Sequence, residues 1–272
     1  MMKKTKIIIV GMGGQGVQTI AKILALTAAQ KGLEVSYIPQ FGVEQRGTPS
    51  VAFITLDSKK VNYPLFDIAD WAVVLHPRAI AEAVKYVDKK TKTIFDSSLM
   101  GVEKINKKPV DIFGLPAVKL ATENFSSRLA NLIVLGQVSR ILELPFELAW
   151  KNTAETLEKK LKNETARKAS RDALLLGYEN LLEKKSFSKP DYRPKAGTII
   201  FDGDGKQGFL ISEHCKSCGI CVAKCPIGAI KMGHNTGVFA SPLPEIDIAK
   251  CSVCGTCSLF CPDGAIKTER KK

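Results

Sequence analysis

All eight cysteines of this 272-residue chain fall between positions 215 and 261. They are spaced as Cys215-x2-Cys218-x2-Cys221-x3-Cys225-Pro226 and again as Cys251-x2-Cys254-x2-Cys257-x3-Cys261-Pro262, an internal repeat with a period of about 36 residues. Three thiolates at two-residue gaps wrap a tight loop around one face of a cubane. A fourth, set beyond a short helical turn, points at the neighbouring cluster. The spacing therefore predicts two [4Fe–4S] clusters, one held by Cys215, Cys218, Cys221 and Cys261, the other by Cys251, Cys254, Cys257 and Cys225. A disulfide framework belongs to small secreted chains, and no secretion signal is read here. Structural zinc takes four ligands per site, commonly as two separated C-x2-C pairs, and gives no reason for a third and fourth Cys followed by Pro.

The segment from about 196 to 272 is too small and too poor in aromatics to hold together by burial alone. Its ligands bind only as thiolates, so cluster assembly and folding are expected to be coupled. The charge balance fits this reading. The chain has 40 basic and 27 acidic residues, a net charge of +13. From Glu183 onward there are 14 basic and 9 acidic residues, a net +5, which leaves +8 for residues 1–182. Replacing eight neutral thiols by two four-thiolate clusters adds about −4, so the basicity belongs mainly to the N-terminal part. It is spread over predicted surface faces without an aromatic-interleaved stripe, which reads as a solvated surface and argues against a nucleic-acid site.

Hydrophobic content of 45% and charged content of 25% fit a folded globular protein and exclude disorder as the main state. No apolar run reaches about 18 residues, so no membrane-spanning helix is expected. The basic-then-apolar start, MMKKTKIIIVGMGG, leads into glycines and reads as a strand rather than a leader, which makes the chain cytoplasmic by expectation. Strands are predicted at Lys6–Val10, Leu33–Ile38 (ending at Pro39), Val51–Leu56, Trp71–Leu75, Thr93–Phe95 and Val110–Phe113. A helix from Val17 to Lys31 ends at Gly32, and residues 128–143, 146–162 and 165–183 show helical periodicity. Alternating strands and helices imply an α/β three-layer sandwich with a mostly parallel sheet and C-terminal helices, followed by a small α+β two-cluster domain. The charged, proline-bearing run EKKSFSKPDYRPKAG is the expected linker, dividing the chain into residues 1–190 and 191–272. Residues 198–211 read as a hairpin leading into the first cysteine loop.

Gly11, Gly13 and Gly16 satisfy G-x-G-x-x-G between a strand and a helix, where backbone amides can approach a phosphate. A dinucleotide fold also needs an acid near the end of the second strand. Here Ser36-Tyr37-Ile38-Pro39-Gln40 occupies that place and Glu34 lies at the strand's start, so NAD binding is not the favoured reading.

The runs GMGGQGVQTIAKILA (11–25), FGVEQRG (41–47) and RLANLIVLG (128–136) resemble the gamma subunit of 2-oxoacid:ferredoxin oxidoreductases of the pyruvate synthase type, whose glycine loop commonly reads G-x-G-G-Q-G. The C-terminal part resembles the delta subunit of the same enzymes, a two-cluster ferredoxin. The chain thus resembles a gamma–delta fusion over nearly its whole length. One departure is that Glu44-Gln45-Arg46-Gly47 is followed by Thr48-Pro49, where the family often has E-M-R-G-G.

The resemblance implies a hetero-oligomer in which alpha and beta subunits carry thiamine diphosphate with magnesium and a further cluster. There the 2-oxoacid is decarboxylated and coenzyme A takes the acyl group. Electrons leave singly through iron–sulfur clusters to an external ferredoxin. This chain would be the electron relay, with no catalytic residue of its own and no nucleic-acid or membrane partner. Gly13, Gly14, Gln15, Gly16 and Arg46 are the candidates for anion contact, with packing against partner subunits as the alternative. Pyruvate is the default substrate, and oxalate, 2-oxoglutarate, branched-chain and aryl oxoacids share the architecture. The rival readings are a self-contained NAD(P)-linked iron–sulfur oxidoreductase and a stand-alone ferredoxin-like carrier with an accessory domain.

Two features are set aside. Gly203-Asp204-Gly205 with Asn235 imitates a thiamine diphosphate motif, yet four cluster ligands lie between them, and the GDG reads as a hairpin turn. His76, His214 and His234 have no nucleophile or carboxylate in an evident constellation and are read as structural or solvated.

Overall fold

A computed structural model describes residues 3–42, 47–101, 111–161, 163–179, 182 and 196–271. The chain divides into two compact units, Met1–Tyr192 and Arg193–Lys272.

The first unit is built on a six-stranded sheet. Its strands are β1 (Thr5–Met12), β2 (Glu34–Phe41), β3 (Pro49–Asp57), β4 (Trp71–Val74), β5 (Lys92–Asp96) and β6 (Asp111–Leu115), in the order β2-β3-β1-β4-β5-β6. From β1 through β4 and β5 to β6 the pairing is parallel, whereas β3 runs antiparallel to both β1 and β2. The sheet is therefore mixed, with an antiparallel strand inserted between β1 and β2. Strand β2 lies at the sheet's edge and runs through Pro39 to Phe41, beyond the expected stop. An edge strand tolerates proline because one row of its amides has no ladder partner to lose.

Period-2 alternation assigns the two faces of β1. Ile7 and Ile9 join Ala52, Ile54, Val73 and Ile94 in a core shared with the helix α1 (Val17–Gln30), while Ile8 and Val10 are equally buried on the opposite face. On that second face Phe53 stands opposite Ile8. Phe53 meets Phe66 and Tyr86 edge-on at 5.4 and 5.0 Å, beside a 3-10 turn (Pro77–Ala79) and the four-residue α2 (Ile80–Ala83).

Asp96, at the C-terminal end of β5, is buried and accepts from the backbone amides of Ser98 and Val118 at 2.9 and 3.1 Å. It thereby satisfies the first turn of α3 (Ala117–Asn124), whose own N-cap residue, Pro116, offers no side-chain acceptor. Burial outweighs these bonds and pushes its carboxyl up to about 6. The folded form therefore binds the Asp96 proton more tightly than the unfolded chain, so stability falls as pH rises from about 4 through about 6.

Behind α3, the helices α4 (Ala130–Ile141), α5 (Phe146–Thr156) and α6 (Glu164–Glu179) close the core. Helix α5 stops six residues short of the expected end, at the start of the charged run Glu158-Lys159-Lys160, which supplies no apolar face. Residue 183, the expected end of the last helix, lies outside the described residues, as does Val110. Helices α4 and α6 touch through glycine. A Cβ at Gly136 would strike the Leu174 carbonyl oxygen, and one at Gly177 would strike that of Ile133. Buried Asn152 fastens α5 to α1 through Thr27 and Gln30.

Two predictions follow from this packing. Gly177→Ala should destabilise the first unit by about 1–3 kcal/mol or more through overpacking, read as a lowered urea midpoint. The stability of the wild type relative to Asp96→Asn should fall by about 2–3 kcal/mol between pH 4 and pH 7, and a flat difference would contradict the burial argument.

Candidate metal centre

The second unit contains the strands β7 (Thr198–Gly203), β8 (Lys206–Ile211), β9 (Ile230–Thr236), β10 (Pro242–Ile246) and β11 (Ile266–Arg270), and the short helices α7 (Ile220–Lys224) and α8 (Thr256–Leu259). Strands β7 and β8 form a hairpin in which Gly203 opposes Lys206, so Asp204-Gly205 is a two-residue turn, with φ of +49° and +66°. The GDG tripeptide is thus accounted for by turn geometry. Strand β11 pairs with β8, and β9 pairs with β10.

The two cysteine loops adopt the same conformation 36 residues apart. Positive φ recurs at Ser217 and Val253 (56° and 58°), at Gly219 and Gly255 (77° and 74°), and at Gly228 and Gly264 (60° and 59°). A β-branched valine in the left-handed region is strained, and such strain persists where the surroundings over-determine the backbone. The conformation turns amides toward sulfur. Val253 donates to Cys251 Sγ at 3.4 Å, and Ala229 and Ala265 donate to Cys225 and Cys261 Sγ at 3.2 Å each.

The loops leave two hollows. One, of about 370 Å³ with its open mouth included, is lined by Cys215, Cys218, Cys221 and Cys261 together with Lys216, Met232, Pro244 and Asp263. The other, of about 270 Å³, is lined by Cys225, Cys251, Cys254 and Cys257 with Ile227, Ser252, Thr256 and Thr268. Each hollow thus takes three cysteines from one copy of the repeat and the fourth from the other. Among the described residues, no three His, Cys, Asp or Glu side chains close around a single ion. Four soft thiols around a hollow, with amides aimed at the sulfurs, suit a polynuclear iron–sulfur cluster.

Burial and the neighbouring thiols push Cys221 up to about 12, and burial raises Cys215 and Cys257. Exposed Cys254 is lowered by hydrogen bonding from Thr256. A cluster must therefore displace protons that the folded pocket by itself retains. Cys221, Cys251 and Cys257 also belong to the small apolar core, with Leu210, Ile230, Leu243, Ile246 and Ile266.

The glycine loop of the first unit is closed by its own side chain. Gln15 Oε1 accepts from the Met12 amide at 2.8 Å, and Gln15 Nε2 reaches the Leu75 carbonyl at 3.4 Å. The Gly13 amide is taken by the Thr48 carbonyl at 2.7 Å and the Gln15 amide by that of Met12 at 3.0 Å, leaving Gly14 and Gly16 as the loop amides to consider for an anion. Gly16 begins α1 at φ 81°, with the Asn131 side chain packed where a Cβ would be. Gly47 donates back to Gly13 at 3.3 Å, so the end of the second loop motif meets the first. Arg46 lies outside the described residues. In a dinucleotide fold the second strand would flank β1; here β3 intervenes, and Glu34 is exposed at the far end of β2. His76, buried at the end of β4, accepts from the Arg78 amide through Nδ1 and caps the 3-10 turn, while His214 and His234 are exposed.

Residues 6–180 match the family model described as pyruvate ferredoxin/flavodoxin oxidoreductase, and residues 214–266 match a 4Fe-4S dicluster domain. The chain belongs to the pyruvate ferredoxin/flavodoxin oxidoreductase family. Among its relatives, the 2-oxoglutarate synthase subunit KorC of Archaeoglobus fulgidus is 31% identical over 53% of this chain and 74% of its own length. The common gamma subunit of the pyruvate/ketoisovalerate oxidoreductases of Pyrococcus furiosus is 33% identical over 48% and 74%. The ketoisovalerate oxidoreductase subunit VorA of Methanothermobacter marburgensis is 29% identical over 49% of this chain, which spans only 28% of VorA. The fold matches that of the pyruvate oxidoreductase subunit PORC of Thermotoga maritima, with a TM-score of 0.54 and 23% identity over 67% of this chain and 98% of that one. To this family region the chain adds an iron–sulfur domain. No described helix is long and apolar enough to cross a membrane.

Because three of the eight cysteine thiols sit in the core, removing iron with a chelator should release fast amide hydrogen exchange throughout β7–β11 while protection of β1 and α1 persists. Retained protection in β8 and β11 after iron loss would show a core that stands without metal.

Proposed function

We propose that the chain is the gamma/delta electron-relay subunit of a multi-subunit, thiamine-dependent 2-oxoacid:ferredoxin oxidoreductase. In this reading two [4Fe–4S] clusters are bound, by Cys215, Cys218, Cys221 and Cys261 and by Cys251, Cys254, Cys257 and Cys225. The observation that carries it is the joining, on one chain, of the family region to eight cysteines sorted three-plus-one around two hollows.

The chain's own residues do limited but defined work. When bound, the clusters supply one-electron acceptance and release. The eight thiolates hold them. The amides of Val253, Ala229 and Ala265 donate to sulfur and offset negative charge, and Cys221 and Cys257 are shielded from water. The carbon chemistry and coenzyme A acylation belong to alpha and beta subunits bearing thiamine diphosphate with magnesium and a further cluster, and the final acceptor is an external ferredoxin. The first unit packs against those subunits, with Gly14, Gly16 and Arg46 as its candidates for an anion such as coenzyme A. The relatives' names cover pyruvate, ketoisovalerate and 2-oxoglutarate. Pyruvate is the default here, with selectivity residing mainly on the partner subunits.

Anaerobic purification of the tagged chain from its native host tests this. Copurifying subunits, bound thiamine diphosphate and well over about eight iron atoms per assembly are expected. A lone chain without thiamine, under conditions shown not to dissociate such complexes, would overturn the proposal.

A further inference from the structure

The 36-residue repeat equips each cysteine loop with a counterpart, and the counterparts around the two hollows differ in chemistry. Thr256 corresponds to Ile220, Thr268 to Met232, and Ser252 to Lys216. In the second hollow the Thr256 hydroxyl lies 3.2 Å from Cys254 Sγ, and Thr268 lines the same hollow together with Cys257. A ligating cysteine is a thiolate and can only accept, so the Thr256 hydroxyl then donates to sulfur, and Thr268 brings a second hydroxyl donor into the hollow. In the first hollow, the place of Thr268 is taken by the thioether of Met232, which has no proton to give.

Charge and solvent act in the same direction. Lys216 beside the first hollow is paired with Asp263 at 2.7 Å, so the two nearly cancel. Beside the second, the Lys206 ammonium is held by the carbonyl oxygen of Cys251 at 2.8 Å and that of Ala249 at 3.4 Å. Cys254 is exposed, whereas its counterpart Cys218 is only partly so. Reduction adds one electron, with no bond made or broken and no proton taken up, and moves the charge of a four-thiolate cluster from about −2 to about −3. Donors, cations and water all favour the more negative form.

We propose that Thr256 and Thr268 make the cluster bound by Cys251, Cys254, Cys257 and Cys225 the higher-potential one, so that a single electron on this chain rests there. This deepens the relay reading above and depends on its two clusters. Within the chain, electrons then run from the Cys215 loop's cluster to the Cys251 loop's cluster, and the exposed Cys254 side is where the electron leaves.

The test is an EPR-monitored redox titration of the full, anaerobically purified chain with dithionite, preceded by an iron and sulfide count. In the Thr256→Val, Thr268→Val double variant, the higher midpoint should fall and the lower should move less. The electron's preference for the second cluster should drop at least tenfold, equivalent to 59 mV for one electron. In Met232→Thr the lower midpoint should rise instead. Either variant alone decides the matter if the other fails to assemble. A shift mainly of the lower midpoint in the double variant, a shift mainly of the higher midpoint in Met232→Thr, or midpoints unmoved in a variant holding about eight iron atoms, overturns the inference. A wild-type chain with about four iron atoms would instead overturn the two-cluster reading.

Discussion

Iron–thiolate coordination is strong and directional, and it becomes available only after each cysteine has lost its proton. The C-terminal unit is organised around that requirement. Its apolar core is small, and Cys221, Cys251 and Cys257 are members of it, so the residues that would bind metal are also those that close the interior. Left to itself the folded pocket holds Cys221 protonated. The metal must therefore supply both the driving force for deprotonation and much of the unit's cohesion. The left-handed backbone at Val253, costly for a β-branched side chain, fits the same logic, because it places an amide 3.4 Å from Cys251 Sγ.

The first unit meets a different constraint. A glycine-rich strand-to-helix turn exposes amides that something must satisfy, and in nucleotide-binding folds a phosphate does so. Here Gln15 folds back on Met12 and reaches across to Leu75, just past the end of the neighbouring strand β4, while Thr48 takes the Gly13 amide. The turn thus joins β1, β4 and the segment before β3. The insertion of β3 between β1 and β2 removes the crevice wall that a dinucleotide ribose would use. Both features favour the gamma-type reading over an NAD-linked enzyme.

Much of this was legible in the sequence, because alternation and helical periodicity are local. Strand β1, helix α1 and the α4–α6 region follow from apolar spacing, and the hairpin at Asp204-Gly205 from turn chemistry. What was not legible is tertiary. Nothing near residues 49–57 says that β3 lies between β1 and β2, or that β2 lies at an edge where Pro39 can stay in the strand. Helix α2 has only four residues, too few for a period to register. Strands β9 and β10 were hidden behind the cysteine spacing that dominates their segment. For the metal centre, spacing alone grouped the cysteines in the way the hollows group them, yet it could not locate Thr256 or Thr268. Aligning the repeat on itself flags both positions as asymmetric. Only the structure puts the Thr256 hydroxyl on sulfur and Thr268 in the same hollow.

A duplicated loop begins with two equivalent sites, and identical ligand sets give no direction to an electron. Direction has to come from residues that do not ligate. The cysteines, the glycines and the backbone φ values agree closely between the two copies, whereas Thr256/Ile220, Thr268/Met232 and Ser252/Lys216 do not. That is the expected division if coordination is constrained by the metal and the surroundings are left to vary. A hydroxyl turned toward a thiolate costs little in packing and acts on the charged form directly. If each copy of the repeat holds a cluster, asymmetry between the two can be set by a few side chains, with the scaffold of the repeat left intact.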